Sequence, residues 1–176
     1  MHILIAIVGA IAAAYFFFIR ARNAAEMTGE LIDAANDVRL AARRFGFKRK
    51  ANIHPAETIE DPHVAMAGIG TSFLELDGMP TKEQRSALIN SLARSTGLAT
   101  TDADELCVLG RWMMGECGGA QQAVPRLSRK LYKLSGTEGF GPMMAVIKDI
   151  AEAGSGTLSS QQRTALEDLQ SAFRIK

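Results

Sequence analysis

The chain is poor in the residues that most chemistry requires. Its 176 residues include three histidines, two cysteines and one tryptophan. His2, His54 and His63 are too scattered to form a three-ligand metal set. Cys107 and Cys117 have no CxxC spacing, and in a reducing compartment they read as helical core thiols, neither a disulfide nor a metal pair. Neither lies in a recognisable catalytic surround, so a Cys–His nucleophile is not indicated. No phosphate-binding loop or dinucleotide fingerprint occurs. Gly68-Ile69-Gly70 falls inside a helical pattern and reads as a place where helices approach closely. Sustained two-residue alternation is also missing, which argues against strands. Basic residues lack aromatic interleaving, which argues against nucleic acid. The expectation is a chain with no catalytic residues and no cofactor.

Also absent is any Lys or Arg ahead of the first apolar run. Ile3 to Ile19 reads ILIAIVGAIAAAYFFFI without a break, close to the ~18 residues at the lower edge of what spans a hydrocarbon core. A cleaved signal peptide is the alternative. Against it stand the uncharged start, the prolongation of the run by Tyr15-Phe16-Phe17-Phe18-Ile19, and the lack of a small-x-small site before the charges. Arg20 and Arg22 follow at once, then Arg39, Arg43, Arg44, Lys48, Arg49 and Lys50. Positive residues remain on the cytoplasmic side. The expected topology is a single-pass anchor in a bacterial-type inner (cytoplasmic) membrane, with the N-terminus outside and the remainder in the cytoplasm.

Between Arg20 and Lys50 eight basic residues face four acidic ones, while the rest of the chain carries twelve and fifteen. A basic juxtamembrane segment suits anionic lipid headgroups. Leu31, Val38 and Phe45 recur every seven residues with Ala34/Ala35 and Ala41/Ala42 between them, a narrow seam able to pair with a second copy or with its own domain. Ala6, Ala10 and Ala14 repeat every four residues in the anchor, a spacing that permits helix association and a homodimer.

The chain divides into an anchor (1–22), a basic amphipathic helix and linker (23–60) and a helical domain (61–176). Asp61-Pro62 starts the first domain helix as N-cap and first-turn proline, with Met66, Ile69, Phe73 and Leu76 lining one face. Further helices follow Thr81, Thr101, the Gly118-Gly119 break, Gly136 and Ser159, each carrying apolar residues at helical spacing. Trp112 reads as core. Arg126, Arg129, Lys130 and Lys133 form a basic stripe, a solvated face that could also meet anionic lipid or an acidic partner. The fold class is all-α, with about six helices in the domain.

One internal match stands out. Asp77-Gly78-Met79-Pro80-Thr81-Lys82-Glu83-Gln84 aligns without a gap on Ser155-Gly156-Thr157-Leu158-Ser159-Ser160-Gln161-Gln162, and the match continues through Leu88 and Leu166. Gly78 and Gly156 can each take a left-handed conformation. Thr81 with Gln84, and Ser159 with Gln162, form capping boxes. The domain therefore reads as two related helix–turn–helix halves.

This doubled turn resembles the TerB-like family of tellurite-resistance proteins and membrane-proximal co-chaperone domains, over about Val64 to Ile175. The resemblance implies a compact helical fold, a role in envelope or stress physiology, and an acidic, metal-binding cluster. This chain keeps Asp77 of that cluster but has Ser155, Gln84 and Gln162 at the other acidic positions, with Glu83 as a neighbour. A J-domain is not implied, because His54-Pro55 is followed by Ala56. A hard cation needs several oxygen ligands, so Asp77 is expected to bond the turn backbone, and Asp77 with Glu83 are the metal candidates if any exist. The functional expectation is a non-enzymatic, membrane-tethered adaptor for an unknown protein partner. The alternative is an ion- or metal-responsive stress-resistance domain.

Overall fold

The computed structural model describes residues 33–175. Every regular element among them is helical. α1 is described over residues 33–44. After a short 3-10 turn at Pro55–Thr58 come α2 (Pro62–Glu75), α3 (Lys82–Thr96), α4 (Thr100–Glu116) and α5 (Ala120–Ser135). A second 3-10 turn, Gly136–Gly139, leads to α6 (Phe140–Glu152) and α7 (Ser160–Ala172). The class and the six domain helices match the sequence expectation. No described helix is long and apolar enough to cross a membrane. The apolar run Ile3–Ile19, Arg20, Arg22 and Leu31 lie outside the described residues.

α2 is the axis of the domain. Asp61 caps it, its carboxylate accepting from the His63 amide at 2.9 Å, and Pro62 opens it. Every residue from Val64 to Leu74 is buried, so the expected single face of Met66, Ile69, Phe73 and Leu76 is only one of several. The cause is side-chain size. Ala65, Ala67, Gly68, Gly70, Thr71 and Ser72 fill the other faces, and small residues admit neighbouring helices from all sides. α4 and α5 flank α2, α3 packs on α6, and α5 on α7. At Gly110 of α4 a Cβ would lie 2.8 Å from the Ala67 carbonyl and 2.9 Å from the Gly68 amide nitrogen, so the two backbones touch.

The stretch expected to be a linker belongs to the packed body. Pro55, Ala56, Thr58 and Ile59 are buried. His54 Nδ1 accepts from the Ala56 amide at 3.2 Å, which leaves Nε2 as the protonated nitrogen that donates to the Glu116 carbonyl at 3.0 Å. Lys130 Nζ donates to the Glu57 carbonyl at 2.7 Å. Ala41 is buried, Val38, Ala42, Phe45 and Phe47 pack beside the core, and Phe47 meets Trp112 edge-on at 5.5 Å. One compact unit accordingly begins at Val38. A domain start at 61 is therefore too late. Val38, Ala41, Ala42 and Phe45 of the seven-residue seam pack on their own domain, one of the two partners the sequence allowed, whereas the turn at Pro55–Thr58 leaves no periodicity in the sequence.

Candidate functional site

The paired turns are the most regular polar feature of the domain. Gly78 and Gly156 both lie in the left-handed region, at φ 95° and 73°. Thr81 Oγ1 accepts from the Gln84 amide at 3.1 Å, and Gln84 Oε1 accepts from the Thr81 amide at 3.0 Å. Ser159 and Gln162 repeat the arrangement at 3.2 and 3.1 Å. Four helix-end amides thereby find acceptors.

Both glutamines are buried, at 4% and 2% exposure, and each turns its amide nitrogen toward the other half. Gln162 Nε2 donates to the Phe73 carbonyl at 3.3 Å, and Ser159 Oγ to the Leu76 carbonyl at 3.4 Å, both near the end of α2. Gln84 Nε2 rests on Gly154 just beyond α6, where a Cβ would fall 2.6 Å from it. Each cap thus also docks the end of the opposite half's first helix. A glutamate would supply the acceptor of the box but not this second, donating contact.

Asp77 is exposed and makes no side-chain hydrogen bond among the described residues. The turn bond expected of it is made instead by its counterpart, Ser155, whose Oγ accepts from the Thr157 amide at 3.3 Å. Glu83 is also exposed. The nearby carboxylates are held apart by separate cations: Glu75 by Arg111 at 3.6 Å, Glu152 by Lys148 at 3.6 Å, and Asp149 by Arg94 at 2.6 Å together with the Ser91 hydroxyl. Among the described residues no three His, Cys, Asp or Glu side chains converge as metal ligands.

The basic residues between Arg39 and Lys50 divide into two sets. Arg44 bonds Glu105 at 2.7 Å and Asp102 at 2.8 Å, and these two acids hold its pKa above the ordinary value. Arg49 lies 3.5 Å from Glu116 and Lys50 3.7 Å from Glu60. Arg39, Arg43 and Lys48 are exposed and form no ion pair among the described residues. Surface pairs are weak, so the apolar packing of Ala41, Phe45 and Phe47 and not the first set holds the segment on its domain, and the second set faces solvent.

Lys130, expected on the solvated stripe of α5, is buried instead, and desolvation lowers its pKa. Burial also raises both thiols, Cys107 to about 12, so Cys107 carries its proton at neutral pH. A concavity of about 400 Å³ between α5 and α7 was not legible in the sequence. Pro125, Arg129 and Tyr132 line one wall, and Asp168, Ser171 and Arg174 the other. The i, i+4, i+7 spacing of the α5 residues is a signal, but their partners come from far along the chain.

Compared with known proteins, the chain matches no family model, no curated protein and no solved structure.

Proposed function

We propose that this chain is a non-enzymatic adaptor, tethered to the cytoplasmic face of a membrane through residues 3–19 and presenting its helical domain to a protein partner. The observation that supports the tethered reading is the unbroken apolar run Ile3–Ile19 followed at once by Arg20 and Arg22. The docking of residues 38–59 onto the helical core limits how far the domain can stand from that run. It leaves only residues 20–37 between the apolar run and the compact unit. That segment spans about 27 Å as a helix and about 60 Å fully extended. The domain then works within a thin layer at the membrane, with Arg39, Arg43 and Lys48 available to anionic headgroups.

Most buried polar groups serve structure, and Thr71 Oγ1 and Ser128 Oγ, also buried, have no hydrogen-bond partner among the described residues. Gln84, Gln162, Ser72, Thr58 and Lys130 serve caps, helix ends and backbone carbonyls. The doubled turn supports kinship with the TerB-like family in its fold, with glutamine docking in place of an acidic cluster.

The rival is an ion-responsive domain, and one experiment separates the two. The full chain in detergent is melted with EDTA, Ca²⁺, Mg²⁺ or Zn²⁺, because a ligand bound only by the folded state raises the midpoint. The adaptor reading expects the same midpoint in all four. An ion-dependent rise that disappears in Asp77→Asn would overturn it. Cross-linking in intact membranes should then give discrete adducts mapping to the domain surface.

A further inference from the structure

The concavity between α5 and α7 gathers three charged side chains along its lining. Arg129 and Arg174 lie on opposite walls, with Asp168 beside them. Elsewhere, Arg44, Arg49, Lys50, Arg94, Arg111 and Lys148 have carboxylate partners, while Arg39, Arg43 and Lys48 stand exposed without one among the described residues. Among the described residues Arg129, Arg174 and Asp168 have none within ion-pair distance, although they line the same hollow.

Arg174 is held there at a conformational cost. Its φ is 57°, in the left-handed region where the residue after a helix is normally glycine. The Arg174 amide donates to the Ser171 carbonyl at 3.1 Å and the Ile175 amide to the Gln170 carbonyl at 3.0 Å, so the backbone closes α7 as a glycine would. The guanidinium lies 5.6 Å from the centre of the Tyr132 ring. That ring is fixed edge-on against buried Phe173 at 5.5 Å, and Phe173 packs on Phe140. A non-glycine residue in this strained position points to function, and here it sets a guanidinium at the rim of the hollow.

We propose that this concavity binds a phosphoethanolamine group, its phosphate held by Arg129 and Arg174 and its primary ammonium by Asp168. Guanidinium N–H forks match phosphate oxygens. The lone carboxylate calls for a cation on the same ligand, since a simple anion would be repelled by it. A primary ammonium gives Asp168 N–H donors, whereas a trimethylammonium has none and is normally recognised by an aromatic cage. The single aromatic face at hand, Tyr132, is already covered by Arg174. The volume is at the small end of ordinary ligand sites and suits a headgroup better than a peptide. Membrane tethering, as proposed above, makes a lipid headgroup the source, and the site itself does not depend on that reading.

The test uses the full chain in maltoside micelles, titrated with glycerophosphoethanolamine, glycerophosphocholine and inorganic phosphate, and followed by calorimetry and melting midpoint. Glycerophosphoethanolamine should bind and raise the midpoint, with the other two at least ten-fold weaker. Asp168→Asn should erase the preference for ethanolamine over choline. Arg174→Gly should keep or raise the unliganded midpoint, because glycine suits the left-handed turn, yet weaken binding at least ten-fold. Equal binding of all three ligands, or wild-type affinity in Arg174→Gly, would overturn the proposal, as would no binding at all. Bilayer discs with and without phosphatidylethanolamine identify the source: a midpoint raised by the lipid assigns the headgroup, and a response only to the soluble phosphodiester assigns the free ligand. Whether the chain sediments with membranes is read separately, so failure of the tether and failure of the site are distinct results.

Discussion

At the scale of single residues, the hydroxyls at the two caps carry the clearest energetic statement. Thr81→Ala and Ser159→Ala each remove the acceptor of a helix-end amide, and each should cost about 1 kcal/mol in denaturant unfolding. Ser159→Ala should be the costlier, because its hydroxyl also donates to the Leu76 carbonyl across the halves. The cap residues themselves were legible in the sequence, because Thr-x-x-Gln and Ser-x-x-Gln are local patterns. Their second contacts were not, since Gln162 meets Phe73 only after the chain has folded. The same holds for Asp77, whose expected turn bond is not made. Cys107 adds a prediction in pH. Its thiol is raised from an ordinary 9.0 to about 12, chiefly by burial. A group raised on folding stabilises the fold fully below its unfolded value and loses that contribution as pH climbs to its folded value. Stability attributable to Cys107 should therefore be intact below pH 9 and decline between 9 and 12. At pH 8 iodoacetamide should label Cys107 only under denaturing conditions, as read by mass spectrometry.

At the scale of elements, small residues explain the part of the architecture that apolar periodicity did not show. The pattern of Met66, Ile69 and Phe73 identified α2 as a helix, but the Gly and Ala residues between them determine that it is enclosed. Two glycines of α4 test this. Gly110 lies where a Cβ would strike the Ala67 backbone, while nothing stands within 4 Å of a Cβ at Gly115. Gly110→Ala should destabilise the domain by about 2 kcal/mol or more, since backbone atoms must move. Gly115→Ala should stabilise it by about 0.5–1 kcal/mol through helix propensity. Opposite signs in paired chemical denaturations are the expected outcome. A penalty at both positions would mean that α4 tolerates no added methyl anywhere, and that the close approach to α2 is not the cause. The segment before α2 shows where sequence reading stops. Pro55, Ala56, Thr58 and Ile59 are buried at a single short turn, which leaves no helical stripe or strand alternation to detect.

At the scale of the whole molecule, an apolar run stands ahead of a helical domain whose packing begins at Val38. The sequence carried the all-α class and the two related turns because both rest on local signals. It misplaced the domain boundary and missed the α5–α7 concavity, which depend on residues far apart in the chain. If residues 3–19 hold this domain at a membrane, as proposed, carbonate extraction of membranes will reveal it. The full chain should remain in the pellet at alkaline pH, while a chain begun at Val38 should appear in the soluble fraction and still unfold cooperatively after purification. Release of the full chain into the supernatant would contradict the account.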